Sequence, residues 1–429
     1  MPPRAPLFYG WIVIAVAFVT MALGVNARTA FSLLFPAILD EFGWERGVTA
    51  GAFSFGFIAS MTFTPVLGRL MDRFGPRYVI PCGVVMTCAG LALGTLARQP
   101  WHLYLTLGLL VAGGSVAIGY TGHALFLPNW FTRRRGMAMG VAFAGVGVGS
   151  IVLFPWLGAM IARVGWRAAC WTLVVILAVT LIPLNLIFQR ARPEDLGLHP
   201  DGDARPAARD AGGHEANVVD RAWASTDWTL ARAMHTARFW WMSLGFFCAL
   251  FAWYAVQVHQ TKYLLEIGFP APLAAQALGL VGLMGVVGQI ALGHLSDRVG
   301  REWVWTLASL GFALCYALLI VMAHHPTLWL LYLMVVSQGM LGYGLASVYG
   351  AIPAELFQGR HYGAIFGVVG ITSGLGTGLG PWVAGAVHDR TGSYTAAFAI
   401  AIGVSLLSIV AMWLAAPRKV RVVAGRVRR

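Results

Sequence analysis

Gly68-Arg-Leu-Met-Asp-Arg-Phe-Gly-Pro-Arg77 decides how this chain is read. The stretch closes an apolar run from Gly47 to Leu67 and sets Asp72 among Arg69, Arg73 and Arg77 in a tight charged turn. A near copy, Gly293-His-Leu-Ser-Asp-Arg-Val-Gly-Arg301, follows the apolar run from Ala271 to Leu292. The copies stand 225 positions apart (293 minus 68) in a chain of 429 residues. The chain therefore reads as two related halves, each punctuated at the same place.

Composition says what surrounds those halves. Hydrophobic residues make up 58% of the chain and charged residues 11%, with a mean hydropathy of +0.72. A soluble domain carries roughly 25% charge, so the exterior faces a lipid bilayer. The formal charge of +13 does not point to nucleic acid, because the arginines lie between apolar runs and not on one groove-sized face. Cys82, Cys88, Cys170, Cys248 and Cys315 all fall inside apolar runs without metal-ligand spacing. They read as small core hydrophobes, and neither a metal nor a cofactor is expected. The first apolar run has no small-residue cleavage site and outlasts a signal peptide, so it reads as a retained helix.

A bilayer-spanning helix needs about 20 residues. Twelve such segments are expected, at 8–36, 47–69, 78–97, 102–129, 137–162, 167–189, 239–264, 271–295, 303–323, 328–355, 362–387 and 394–415. The expected fold is an all-α membrane protein with an N-terminal six-helix bundle (1–189), a linker (190–237), a second bundle (238–416) and a basic tail (417–429). In the linker, two Trp, the capping residues Ser225, Thr226 and Asp227, and a Leu/Met face predict a short amphipathic helix between Trp223 and Met234. Lys and Arg crowd the loops on the N-terminal side, so both termini are expected in the cytoplasm of a cell (inner or plasma) membrane. Glycines cluster in the fifth segment (Gly140, Gly145, Gly147, Gly149) and the eleventh (Gly367, Gly370, Gly374, Gly376, Gly378, Gly380). In lipid they serve tight packing or sliding surfaces between the halves.

Twelve spans, two halves and G-x-x-x-D-R-x-G after the second and eighth helices resemble the major facilitator superfamily. The resemblance implies a gating role for Gly68, Asp72, Arg73 and Arg77 and for Gly293, Asp297, Arg298 and Arg301. In that family the Asp and Arg form a cytoplasmic latch. Tyr9-Gly10-Trp11-Ile12-Val13, Phe35-Pro36 before Glu41-Phe-Gly-Trp44, and Trp130-Phe-x-x-Arg133-Arg-Arg-Gly136 resemble the monocarboxylate transporter and oxalate:formate antiporter-like branch. That branch tends to carry a basic residue in the first helix that meets a substrate carboxylate, and Arg28 lies within one residue of the matching place. It also often has Arg in the eighth helix, where this chain has Gly285-Val-Val-Gly-Gln289-Ile. That departure argues against simple transfer of a lactate- or oxalate-type substrate.

Arg28, in Asn26-Ala-Arg28-Thr29, stands far from either end of an apolar helix. A cation at membrane depth costs about 2.5–3.5 kcal/mol on the insertion scale and usually faces a cavity or a partner. No Asp or Glu lies at comparable depth, so an anionic substrate is the natural partner, guanidinium matching carboxylate in two-pronged geometry. Snorkelling outward or donating to helix carbonyls is the alternative. Tyr254, Gln257 and Thr261 share one face of the seventh helix, with His259 about 200° from Gln257, and the Tyr254/Gln257 face is expected to bind the substrate's polar groups. His259 is a candidate proton carrier or a histidine hydrogen-bonded at a helix end. Asn26, Tyr120, His123, Gln289, Gln338, Tyr349 and Ser373 are polar groups in apolar helices that either line the cavity or bond neighbouring helices. The Met and Phe stripes read as lipid-facing or packing residues.

No G-x-x-x-x-G-K-[ST], H-E-x-x-H or G-x-S-x-G pattern occurs, so no enzyme activity is expected. The expected function is secondary transport of a small, monocarboxylate-like organic anion by alternating access, with a proton as the candidate co-transported ion and the monomer as the unit. Efflux of amphipathic organic molecules in exchange for another solute, or ligand sensing without transport, are the competing readings.

Overall fold

The computed structural model describes residues 8–131, 135–199, 218–357 and 362–421, without the side chains at 65, 72, 128, 135–137 and 362–364. In the first half, α1 (Tyr9–Thr29) runs into α2 (Phe31–Phe42), and α3 (Arg46–Phe74) turns at Gly75 into α4 (Pro76–Gly94). The next stretch is broken into α5 (Pro100–Leu103), a π segment (Tyr104–Val111), α6 (Ala112–Ile118) and α7 (Tyr120–Ala124). The long α8 (Arg135–Phe188) doubles back at Gly165, whose φ of 83° lies where a side chain would be strained.

Short α9 (Arg221–Ala224) and α10 (Leu230–Met234) lead into the second half. There α11 (Ala237–Glu266), α12 (Ala271–Val299) and α13 (Arg301–Met322) are followed by another broken stretch. It comprises α14 (Leu328–Val336), a π segment (Ser337–Leu341), a 3-10 turn (Gly342–Leu345), α15 (Ala346–Tyr349) and α16 (Ala351–Leu356). The last two helices are α17 (Tyr362–Thr391) and α18 (Thr395–Ala415). Ten described segments are long and apolar enough to cross a membrane. One of them, Ala138–Phe188, is the two limbs of α8 taken together, and the 30-residue α17 is a further long helix, so the described residues are consistent with the twelve expected crossings.

The two halves repeat one packing scheme. On α8, an added Cβ at Gly145 or Gly149 would stand 2.2 Å from the carbonyl oxygens of Phe18 and Ala22, so only glycine lets α8 lie on α1. On α17, Gly376 and Gly380 do the same against Phe247 and Phe251 of α11, at 2.2 and 2.5 Å. Each second-half glycine stands 231 positions after its counterpart (376 minus 145, 380 minus 149). One buried cluster gathers α1, α4 and α8 around Phe131, Trp130 and Phe154. Two others gather α11, α13, α18 and the broken tenth segment around Phe312, Tyr316 and Phe246.

The first and last described residues of the chain, near Tyr9 and Arg418, mark the face called here the terminal face. Tyr9 Oη donates to Phe188 O at 2.8 Å, and the Arg418 amide donates to Glu302 at 2.8 Å. Between the halves, α8 packs on α12 and α3 on α17, but only over part of their length. Contact is close at Gly158 against Ala275, Gly47 against Ala386 and Gly147 against Val286. Toward the terminal face, Gly140, Gly68, Gly367 and Gly370 have nothing among the described residues within 4 Å of an added Cβ. The halves splay apart there and are shut at the opposite face.

The segment from Trp223 to Met234 departs from the expected single helix. Its caps are Asp220 and Thr229, not Ser225, Thr226 or Asp227. Trp223 donates Nε1–H to Leu356 O at 2.7 Å, and Trp228 is buried edge-on to Phe357 at 5.2 Å. Indole donors are rarely buried unpaired, and these two rings dock on the second half instead of lying on a surface.

Candidate functional site

The gap between the halves holds a cavity of about 820 Å³, walled by α1, α3, the broken fourth segment and α8 on one side and by α11, α12, the broken tenth segment and α17 on the other. Arg28 projects into it from the last turn of α1. Its guanidinium carbon lies 3.8 Å from the centroid of the Phe57 ring and 5.7 Å from that of Phe53. That geometry is cation–π contact, which is electrostatic but leaves N–H donors unused. Arg28 Nη2 is buried without a hydrogen-bond partner among the described residues. Neither snorkelling nor carbonyl donation satisfies it.

Across the gap, α11 presents Tyr254 and Gln257. The Phe57 and Tyr254 rings meet at 4.5 Å and 65°, so one phenyl ring joins the Arg28 side to the α11 side. Gln257 Oε1 is buried and also unpartnered among the described residues. Its backbone carbonyl accepts from Ser32 Oγ at 2.7 Å, fixing α11 against α2. Trp253 stacks on Tyr343 at 4.2 Å and 18°, extending the aromatic wall.

Of the other expected residues, Asn26, Tyr120, Gln289 and Tyr349 line the cavity. Asn26 also ties α1 together and to α8, donating to Ala22 O at 2.7 Å and Val146 O at 2.8 Å. His123, Gln338 and Ser373 lie off its wall. His123 Nδ1 is 2.9 Å from Gly119 O, within its own turn, and Ser373 Oγ donates to Val369 O at 2.7 Å. Gln338 is fully buried in the second half, within the π segment.

His259 is bonded at both ring nitrogens, Nδ1 to Tyr394 Oη at 2.9 Å and Nε2 to Pro381 O at 2.8 Å. It belongs to the closed opposite face. There Tyr394 Oη accepts from Arg46 at 3.2 Å, Arg46 pairs with Glu266, and Lys262 pairs with Asp40 at 2.5 Å. Asp389, on α17, accepts from the backbone N–H groups of Arg46 and Gly47 at 3.1 and 2.6 Å and so caps α3 of the other half. These partners, more than 200 positions apart in the chain, were invisible to motif reading.

The doubled motif sits at the terminal face. Asp72's side chain lies outside the described residues; Arg73 and Arg298 are exposed. Arg77 donates to Leu186 O at 2.7 Å, and Arg301 bridges Asp297 at 2.7 Å and Glu355 at 2.8 Å. All these bonds stay within one half. Among the described residues, the ion pairs joining the halves lie at the opposite face.

Sequence reading missed the aromatic wall. Phe53 and Phe57 belong to a stripe assigned to lipid or packing; a usable signal was that four-residue spacing on a helix adjoining a lone buried arginine.

The pattern that defines the Major Facilitator Superfamily matches residues 12–348 and again 283–428. Monocarboxylate transporter 13 of Rattus norvegicus is 27% identical over 402 residues, covering 92% of this chain and 86% of that protein. Monocarboxylate transporter 11 of Homo sapiens is 28% identical over 429 residues, covering 96% and 83%. Among solved structures, the nucleoside transporter NupG superposes with a TM-score of 0.71 at 13% identity, covering 95% of this chain and 98% of that one. A bacterial homolog of the human lysosomal transporter Spinster, in an inward-facing and unoccupied conformation, superposes with a TM-score of 0.64 at 17% identity, covering 97% of each. These two likenesses concern the fold.

Proposed function

Because this chain belongs to the major facilitator superfamily and is a multi-pass membrane transporter by that kinship, we propose that it carries a small organic anion, monocarboxylate-like, by alternating access. The single observation behind the cargo is Arg28, a half-buried cation in the gap between the halves with a buried, unused donor and no ion-pair partner among the described residues. A carboxylate supplies both the missing acceptor and the missing charge. It reaches Arg28 from the terminal face, which the excess of arginine in the adjoining loops assigns to the cytoplasm.

Closing the terminal face around an empty site would seal Arg28 away from water with its charge uncompensated, whereas closing around a bound carboxylate seals a neutral pair. On this reading the loaded carrier changes face more readily than the empty one. The proton is the coupling ion we assign, with His259 as its point of action on the closed opposite face and not on the cargo. Protonation there turns Nδ1 from acceptor to donor, so the Tyr394 hydroxyl, which already accepts from Arg46, can no longer donate to it and must turn its proton elsewhere. The test is uptake of labelled monocarboxylates into proteoliposomes, with and without an inward proton gradient, for wild type, Arg28→Gln and His259→Gln. Carboxylate uptake by Arg28→Gln equal to wild type would overturn the cargo assignment; an unchanged gradient response in His259→Gln would overturn the histidine's role.

A further inference from the structure

Among the described residues, the gap leaves two buried polar atoms of opposite character unpartnered on opposite halves, Arg28 Nη2 on α1 and Gln257 Oε1 on α11. A buried acceptor with nothing to accept is costly, and a carboxylate bound at Arg28 does nothing for it, since a carboxylate has no proton to donate. The surface between the two atoms is aromatic: Phe57 carries the guanidinium on its face and meets Tyr254 edge-on. Tyr254 lies one turn from Gln257 on α11 and runs nearly parallel to Trp253 at 17°. Trp253 in turn stacks on Tyr343. Nine aromatic side chains line a cavity of about 820 Å³, within the roughly 300–1,000 Å³ of sites that enclose drug-sized ligands.

We infer that the cargo is an aryl-bearing carboxylate with a hydroxyl or amino donor, its carboxylate on Arg28, its donor on Gln257 and its ring against the Phe57–Tyr254–Trp253 wall. The inference rests on the anion-carrier reading and narrows it. The carboxylate touches one half and the neighbouring donor the other, so the polar head of the ligand bridges α1 and α11. Aromatic faces take a planar body by offset stacking or edge contact. The donor requirement follows from the orphaned carbonyl oxygen, because a site built to bond a hydroxyl or amine discriminates against the analogue lacking it.

The experiment uses the full-length chain in proteoliposomes and three probes: 3-phenyllactate, 3-phenylpropionate, which lacks the hydroxyl, and lactate, which lacks the ring. Binding is read by quenching of tryptophan fluorescence and confirmed by uptake. Expected is 3-phenyllactate binding about tenfold tighter than 3-phenylpropionate, the order of one buried hydrogen bond, and tighter than lactate by at least as much. Gln257→Leu erases the first difference and keeps the second. Equal binding of 3-phenyllactate and 3-phenylpropionate by wild type overturns the donor assignment without recourse to any variant. So does a Gln257→Leu protein that keeps the full preference. Lactate binding as tightly as 3-phenyllactate overturns the aromatic assignment and leaves the anion carrier standing. If none of the three binds wild type, the anion-carrier reading itself fails.

Discussion

Replacing Asp389 with alanine removes a cap that one half of the carrier places on a helix of the other. α3 begins at Arg46, and the preceding Glu45 makes no side-chain cap of its own. The Arg46 and Gly47 amides donate instead to Asp389 at 3.1 and 2.6 Å. A capping side chain contributes about 0.5–2 kcal/mol, and a negative charge at a helix N-terminus about 0.3–1 kcal/mol more. The Asp389 side chain is 22% exposed, so water screens part of both terms and about 1–2 kcal/mol is the reasonable sum. Asp389 and α3 belong to different halves, so this energy counts only while the opposite face is shut. Its loss shifts the balance between the two faces by roughly 5- to 30-fold toward opening. Spin labels on Arg163→Cys and His325→Cys, both exposed at the opposite face on different halves, report the change as a longer distance population in a Cys82→Ser background. A long-distance fraction that stays the same in Asp389→Ala, in a protein that folds, would refute the reasoning.

Further perturbations probe the gap and its hinges. Gly367→Leu enters open space, so the variant folds and binds carboxylate but fails to shut the terminal face; wild-type rates of counterflow would contradict this. Gly149→Leu places its Cβ about where the Ala22 carbonyl stands, 2.2 Å away, and overpacking costs about 1–3 kcal/mol even in forgiving cores; a lowered melting temperature in detergent checks it. Phe57→Ala strips the ring that holds the Arg28 guanidinium, a contact of about 0.5–2 kcal/mol, and weakens carboxylate binding about 2- to 30-fold by fluorescence titration. On the proposed mechanism, cargo on the far side of the membrane speeds uptake, because the occupied site hides no bare charge; isotope exchange no faster than net uptake would contradict that.

Much of the fold was legible because it is written twice. The copies at Gly68 and Gly293 mark the repeat, and the apolar runs fall on the long helices. The breaks in the fourth and tenth segments were not legible. Both carry only scattered polar residues with no break signal at the π segments, and close neighbours surround them: Gly114 lies against Gly83 O, and Gly342 against the Phe312 ring. Arg28 stood out because a charge in an apolar helix is expensive wherever it points. Phe57 did not, because a phenylalanine reads the same in lipid, in a core or on a cavity wall. The shut face was hidden for a different reason. Asp40, Arg46, Lys262, Glu266 and Asp389 look like ordinary loop charges until the halves are brought together.

The account turns on Arg28. Uptake of labelled 3-phenyllactate and lactate into proteoliposomes, compared between wild type and Arg28→Gln at matched reconstitution and folding, tests it most directly. The account predicts saturable uptake by wild type that collapses in Arg28→Gln. Undiminished uptake by Arg28→Gln would mean that the buried guanidinium is no carboxylate partner and would contradict the account at its centre.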